Sequence, residues 1–346
     1  MRSLSYIEAI LEATDQEMAK DSRVLVYGLD VDDPKAIQGT TKGLPQKYGT
    51  ERVFGTPLSE DAMTGAAIGM ALAGLRPIHV HIRNDFMLLA MNQLINIAAK
   101  SHYMYGGSVS IPLVIRSMIG KSWGQGAQHS QSLYSFFMHV PGLKVVAPTT
   151  PYDAKGCLIE AIRDNNPVIF IEHRILHFQK GYVPKNLYTV SPGKARVTVK
   201  GRAVTLVGIS HMQIECQKAQ LYLQSEGIKA EVIDPIWLSP LDIETIVESV
   251  KKTGKLLVVD NDWVNCGAGS EIVSQVIEKL PGKKIAVKRM GFAPVTCPPA
   301  PSLENLFYPN GKTIAKAAYD LIAGKKTNWS PSIEENIQEI EFKGPF

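Results

Sequence analysis

The chain has 346 residues, is 45% apolar and 20% charged, and carries a net charge of +4 that forms no basic tract. At roughly 100–200 residues per domain this describes a two-domain globular protein, and it gives no support to a nucleic-acid binder. The four cysteines, Cys157, Cys216, Cys266 and Cys297, lack the spacing of a metal or redox pair and suit a reducing compartment.

The first residues, Met1-Arg2-Ser3-Leu4-Ser5-Tyr6, hold no apolar signal core. The longest apolar run, Ala62–Leu75, falls short of the ~20 residues that a membrane span takes. The expectation is a cytoplasmic protein that is not in the membrane.

Short β-branched runs alternate with longer helical patterns. Arg23–Tyr27 reads as a strand, Ala62–Gly74 as a helix, Ile78–Arg83 and Pro112–Arg116 as strands. Leu143–Val146 and Val168–Glu172 read as strands around a helix at Pro151–Asp164. This alternation predicts a mostly parallel α/β sheet. Residues 177–195 hold Gly181, Pro184, Pro192 and Gly193 without a sustained period and read as a linker. The α/β pattern then restarts. Strands are expected at Ala203–Gly208, Lys229–Asp234, Lys255–Asp260 and Lys284–Lys288. Helices are expected at Met212–Glu226, Pro240–Thr253, Glu271–Leu280 and Thr313–Ala323. The organisation is therefore a domain at 1–185, a second at 196–328, and a charged tail at 329–346 that hugs the surface or moves.

Candidate chemistry begins at Thr56-Pro57-Leu58-Ser59-Glu60. Thr56 or Ser59 is suited to cap the following helix, with Pro57 in its first turn. Glu60 is then either a first-turn carboxylate favoured by the helix dipole or a proton-handling group. The helix holds Gly65, Gly69 and Gly74 among alanines. Each internal glycine costs roughly 0.5–1 kcal/mol relative to alanine, so another element should approach this backbone closely. That element belongs either to the same domain or to a partner subunit. Phe86 is a core aromatic or a stacking face for a planar ligand. His129 follows a glycine-bearing loop, Gly120–Gly126. It is a structural histidine or an active one, with Gln128, Ser130 and Gln131 able to hold one tautomer. No Walker loop, dinucleotide fingerprint or His-Glu-x-x-His is present.

These segments, in order, resemble the beta subunit of thiamine-diphosphate-dependent 2-oxo acid dehydrogenases of the pyruvate, branched-chain or acetoin type. The likeness rests on Gly55–Glu60, Ala73-Gly74-Leu75-Arg76-Pro77, Ala127–Gln131, Pro141–Val146 and Arg163–Pro167. Pro240-Leu241-Asp242 and Lys252-Thr253-Gly254 add to it. The resemblance implies two doubly wound α/β domains, a thiamine pyrimidine-binding domain and a C-terminal transketolase-type domain. It implies that Glu60 hydrogen-bonds the aminopyrimidine nitrogen of thiamine diphosphate. It implies further that Leu58 and Phe86 contact the cofactor and that His129 donates a proton during acyl transfer. Leu113, Ala161, Asp164 and Asn166 fall where some members hold a potassium ion, mainly by backbone oxygens.

The Gly-Asp-Gly segment that binds magnesium and diphosphate is missing; Gly28-Leu29-Asp30 does not match it. In this family it lies on an alpha subunit. The resemblance thus implies an alpha2beta2 heterotetramer, Mg2+ ligands on alpha, a lipoyl acyltransferase core and a small 2-oxo acid substrate. The departures are Ile78-His79-Val80-His81-Ile82-Arg83, where the histidines share a strand face, and Asp234-Pro235-Ile236-Trp237-Leu238. A split transketolase-like carboligase is the alternative enzyme, and a catalytically silent scaffold is the non-enzymatic one. Glu60 and His129 argue against the scaffold.

Overall fold

The protein is described by a computed structural model covering residues 2–33, 35–121 and 124–332. The expected tail at 329–346 lies outside the described residues from 333 onward. Contacts divide the chain into two compact units, one of residues 2–121 and 128–192, the other of 124–127 and 193–332.

The first unit holds β1 (Ser3–Ser5), α1 (Tyr6–Lys20), β2 (Val24–Gly28), α2 (Leu44–Tyr48), β3 (Val53–Gly55) and α3 (Glu60–Leu72). There follow β4 (Arg76–His81), α4 (Ala99–Met104), β5 (Val114–Ile119), α5 (Tyr134–Met138) and β6 (Lys144–Val146). Last come α6 (Pro151–Arg163), β7 (Val168–His173) and β8 (Lys180–Tyr182). Six parallel strands run in the order β6-β7-β5-β4-β2-β3. Strands β2, β5 and β7 are buried along their whole length, as in a sheet covered on both faces. β2 and β4 pair with Tyr27 beside His79. Gly28 closes β2 at φ 146°, and a Cβ there would lie 2.3 Å from the Val80 carbonyl oxygen. Only glycine lets the two strand ends meet so closely.

The second unit holds β9 (Arg196–Val199), β10 (Thr205–Gly208), α7 (His211–Gln224), β11 (Glu231–Asp234), β12 (Trp237–Ser239) and α8 (Ile243–Thr253). It continues with β13 (Lys255–Trp263), α9 (Ala268–Lys279), β14 (Ala286–Phe292), α10 (Pro301–Phe307) and α11 (Gly311–Ala323). Its sheet runs β14-β13-β10-β11-β9, parallel except for the antiparallel edge strand β9. Met212, Ala219 and Leu223 of α7 and Ile314 and Ala318 of α11 bury against Leu206, Val232 and Leu257.

The expected α/β architecture is present in both units, with several departures. The segment read as a linker contains β8, which pairs antiparallel with β1 through Ser3 and Tyr182. Helix α1 is absent from the sequence expectations. It starts with a capping box in which Ser5 accepts from the Glu8 amide and Glu8 accepts from the Ser5 amide. In α3, Ser59 occupies the cap position without a side-chain hydrogen bond, and Pro57 precedes the helix instead of lying in its first turn.

Candidate active site

Helix α3 begins at the C-terminal end of the parallel strands, where open α/β sheets bind their ligands. Glu60 and Asp61 make its first turn acidic. The Glu60 side chain is half-buried and has no hydrogen-bond or ion-pair partner among the described residues. Thr64, one turn further on the same face, is fully buried. Asp61, Ala62, Ala66, Gly69, Leu72 and Ala73 are exposed. A Cβ at Gly69 would meet nothing within 4 Å, so this glycine is not explained by packing inside the unit. Leu58 is 80% exposed in the turn before the helix.

α3 packs against the helical turn Asn84–Ala90, which carries Phe86. The Phe86 ring meets the His129 imidazole edge-on, with centroids 5.3 Å apart and planes at 79°. Aromatic pairs favour this geometry. Two residues unmarked by the sequence reading hold the pair together. Asp85 accepts from the Gln131 amide at 3.2 Å and from its side chain at 2.9 Å. Asn84 accepts from the Leu133 amide at 2.8 Å. A third, the buried Arg174 guanidinium, donates to the His129 carbonyl at 2.9 Å. The loop bearing His129 is thus tied on both sides. Burial pushes the Asp85 carboxyl above its ordinary range, against the lowering pull of the Gln131 hydrogen bonds. Its Oδ2 is buried with no partner among the described residues. The polar pair Asn84-Asp85 next to Phe86 was the available sequence signal. Arg174 had none, since its partner lies 45 residues away in the chain.

Under α3 lies a buried column of rings. His79 stacks on Tyr27 at 4.5 Å, and His81 meets His79 edge-on at 4.4 Å. The strand-face sharing expected of the two histidines is therefore observed. Burial lowers both imidazoles, His79 to about 4 and His81 well below its ordinary value. Arg83, just beyond β4, donates to the Ile82 carbonyl at 3.1 Å, while its Nε is buried without a partner among the described residues.

Deeper in the sheet, Arg116 and Glu172 form a fully buried bidentate pair at 2.7 and 3.0 Å. Burial alone would raise the Glu172 carboxyl. The Arg116 charge, helped by His177 Nε2 3.5 Å away, outweighs it and holds the group below the usual carboxylate range. His177, placed in the linker by the sequence reading, is fully buried beside Glu172 and hydrogen-bonds Gln38.

Ala161, Asp164 and Asn166 lie together at the C-terminus of α6, and Leu113 precedes β5. The Leu113 carbonyl accepts from Val168 at 2.9 Å and that of Ala161 from Asp164 at 3.3 Å. The Asn166 amide donates to the Asp164 carboxylate at 2.9 Å, and Lys144 forms an ion pair with it. Two cationic side chains reach this place, since Arg76 also donates to the carbonyls of Ile162 and Asp164 at 2.9 and 3.0 Å. Among the described residues no group of three or more His, Cys, Asp or Glu side chains could hold a metal. No described helix is long and apolar enough to cross a membrane.

Two family descriptions match the chain: the transketolase pyrimidine binding domain over residues 2–179 and the transketolase C-terminal domain over 193–314. Among curated proteins, the acetoin:2,6-dichlorophenolindophenol oxidoreductase subunit beta of Cupriavidus necator is 44% identical over 94% of this chain and 99% of the relative. The protein of the same name from Bacillus subtilis is 38% identical over the same shares. The pyruvate dehydrogenase E1 component subunit beta of Porphyra purpurea is 40% identical, again over 94% and 99%. Among solved structures, a split gene transketolase in an inactive beta4 tetramer aligns with TM-score 0.77 at 20% identity. It covers 92% of this chain and 98% of that one and shows a shared fold.

Proposed function

The chain belongs to the transketolase-like beta subunits of thiamine-diphosphate-dependent 2-oxo acid and acetoin dehydrogenases, and on that premise we propose that Glu60, Phe86 and His129 form its half of a cofactor site shared with an alpha subunit. The observation that carries this is the Phe86–His129 contact beside the helix that starts at Glu60.

The residues fit the aminopyrimidine end of thiamine diphosphate. An unpartnered, half-buried carboxylate is available for a ring nitrogen, and a half-buried aromatic for a ring face. When bound, the cofactor supplies an electron sink for cleavage of a bond next to a carbonyl. Glu60 would hold the hydrogen bond at the pyrimidine nitrogen. Phe86 would set the depth of the ring, with Leu58 covering it once the alpha chain is in place. His129 would deliver a proton to the thiolate leaving group of the acyl acceptor. Arg174 and Asp85, through Gln131, would keep that imidazole in place, since positioning is worth much of a catalytic barrier.

The assembly we propose is alpha2beta2, docked on a lipoyl acyltransferase. The exposed small-residue face of α3 would be covered by a neighbouring subunit, with Mg2+ held by the alpha chain. Potassium at Leu113, Ala161, Asp164 and Asn166 would use the second lone pairs of carbonyls already bonded in the chain. Equal unfolding midpoints in potassium and sodium chloride would remove that ion from the account.

The relatives carry two activities in their names, on acetoin and on pyruvate. The test is reconstitution with the alpha chain, assaying pyruvate and acetoin with dichlorophenolindophenol and then with lipoamide. Turnover of either substrate, coupled to lipoamide, is the expected result. Two-carbon transfer to an aldehyde, with no lipoamide reduction, would contradict it.

A further inference from the structure

The histidines of β4 are the chain's clearest departure from its family resemblance, and the geometry gives them a task. Thr64 Oγ1 and His81 Nε2 are 3.2 Å apart. Tyr27, on the neighbouring strand β2, donates its hydroxyl to the Met63 carbonyl at 2.6 Å. Two consecutive residues of α3 are therefore held from beneath by two adjacent strands. The two grips are joined by His79, stacked on Tyr27 and edge-on to His81. Met63 and Thr64 lie three and four residues after Glu60, on the helix face that carries its carboxylate.

Packing alone does not call for this arrangement. His79 Nε2 is buried without a partner among the described residues, and its Nδ1 is a long 3.4 Å from the Tyr27 carbonyl oxygen. An apolar side chain would fill the place without leaving a nitrogen unpaired. The start of α3 also lacks a side-chain cap, so its first turns depend on these contacts.

We propose that Tyr27, His79 and His81 are positioning residues that fix the first two turns of α3 and thereby the place of the Glu60 carboxylate. This rests on the reading of Glu60 as the group that hydrogen-bonds the cofactor. The two can fail separately. If Glu60→Gln is silent, that reading falls; if Glu60→Gln is impaired and the column variants are not, the column alone falls.

The experiment is a double-mutant cycle with Thr64→Val and His81→Leu in the full chain, assembled with its alpha subunit. It reads proton–deuterium exchange at the thiazolium carbon, together with amide exchange of residues 60–72. Each single variant should slow thiazolium exchange about 10-fold, below the ~10²-fold that an ångström of misplacement can cost. The double variant should be no slower than either single one, because both remove the same contact. kcat should fall while KM holds, amide exchange at the start of α3 should rise, and His81→Asn should restore part of the loss. Thr64→Val keeps the side-chain shape and decides the matter if His81→Leu does not fold. Wild-type thiazolium exchange in Thr64→Val, or single effects that multiply in the double variant, would overturn the proposal.

Discussion

Helices α3 and α8 have similar lengths and opposite logic. α8 is self-sufficient. Asp242 caps it by accepting from the Thr245 amide at 3.2 Å, and Gly254 closes it in the left-handed region at φ 66°. Ile243, Ile246, Val247 and Val250 are buried, while Glu244, Glu248, Lys251 and Lys252 face water. α3 has no side-chain cap, and Ala62, Ala66, Gly69 and Leu72 are open on its outer face. One helix stabilises its own domain. The other carries Glu60 at an uncapped start and leaves its small-residue face open.

The sharpest way to break this contrast is Glu60→Gln. We expect thiazolium proton exchange to fall by roughly 10²–10⁴-fold, the usual worth of a positioned proton-transfer group, with the unfolding midpoint unchanged. Unchanged exchange would reduce Glu60 to a dipole-compensating residue and make α3 an ordinary helix. His129→Ala should lower lipoamide acylation by about 10²-fold while dye reduction falls less, because only acylation needs a proton for the leaving thiolate. Equal losses in both assays would assign His129 to binding or structure.

The ring column beneath α3 should mark the acid limb of stability. His79 titrates at about 4 in the fold against its ordinary 6.5. Its contribution is therefore complete above pH 6.5 and is lost as pH falls towards 4. A shift of that size corresponds to about 3 kcal/mol. His79→Phe should make the urea midpoint less steep between those values, the slope that remains belonging to His81, which burial also lowers. Glu172 is also depressed, but from 4.5 downward, so it acts only at the foot of that window and below it. A variant as acid-sensitive as wild type between pH 6.5 and 4 would contradict the assignment. The smallest effect separates the two caps. Asp242→Ala should cost about 1 kcal/mol, the typical worth of a bonded cap, and Ser59→Ala close to nothing. Chemical denaturation of both variants checks this, and equal losses would show that α3 depends on its cap after all.

What the sequence disclosed follows the range of the interactions. Strand β7 opens on the apolar run Val168–Ile171 and reads directly, and β5 is only half caught by the Pro112–Arg116 reading because Arg116 and Ser117 interrupt its apolar pattern; α6 and α8 read from their periods. Glu60, Phe86 and His129 stand out through short motifs and family resemblance. β8 is too short to show a period, and its pairing with β1 joins residues almost the whole first unit apart. Helix α1 carried a local signal in its Ser5–Glu8 capping box. Asp85 with Gln131 and Arg174 with His129 join segments 46 and 45 residues apart, and no local pattern encodes such a contact. The burial of His177 depends on Glu172 and Gln38 arriving from other parts of the chain.

A chain that carries half of a site should not bind the cofactor by itself. The most direct measurement is calorimetric titration of thiamine diphosphate with Mg2+ into the isolated chain and into the chain assembled with its alpha subunit. No micromolar binding is expected of the chain alone, and magnesium-dependent binding is expected of the pair. Micromolar, magnesium-dependent binding by the isolated chain would contradict this.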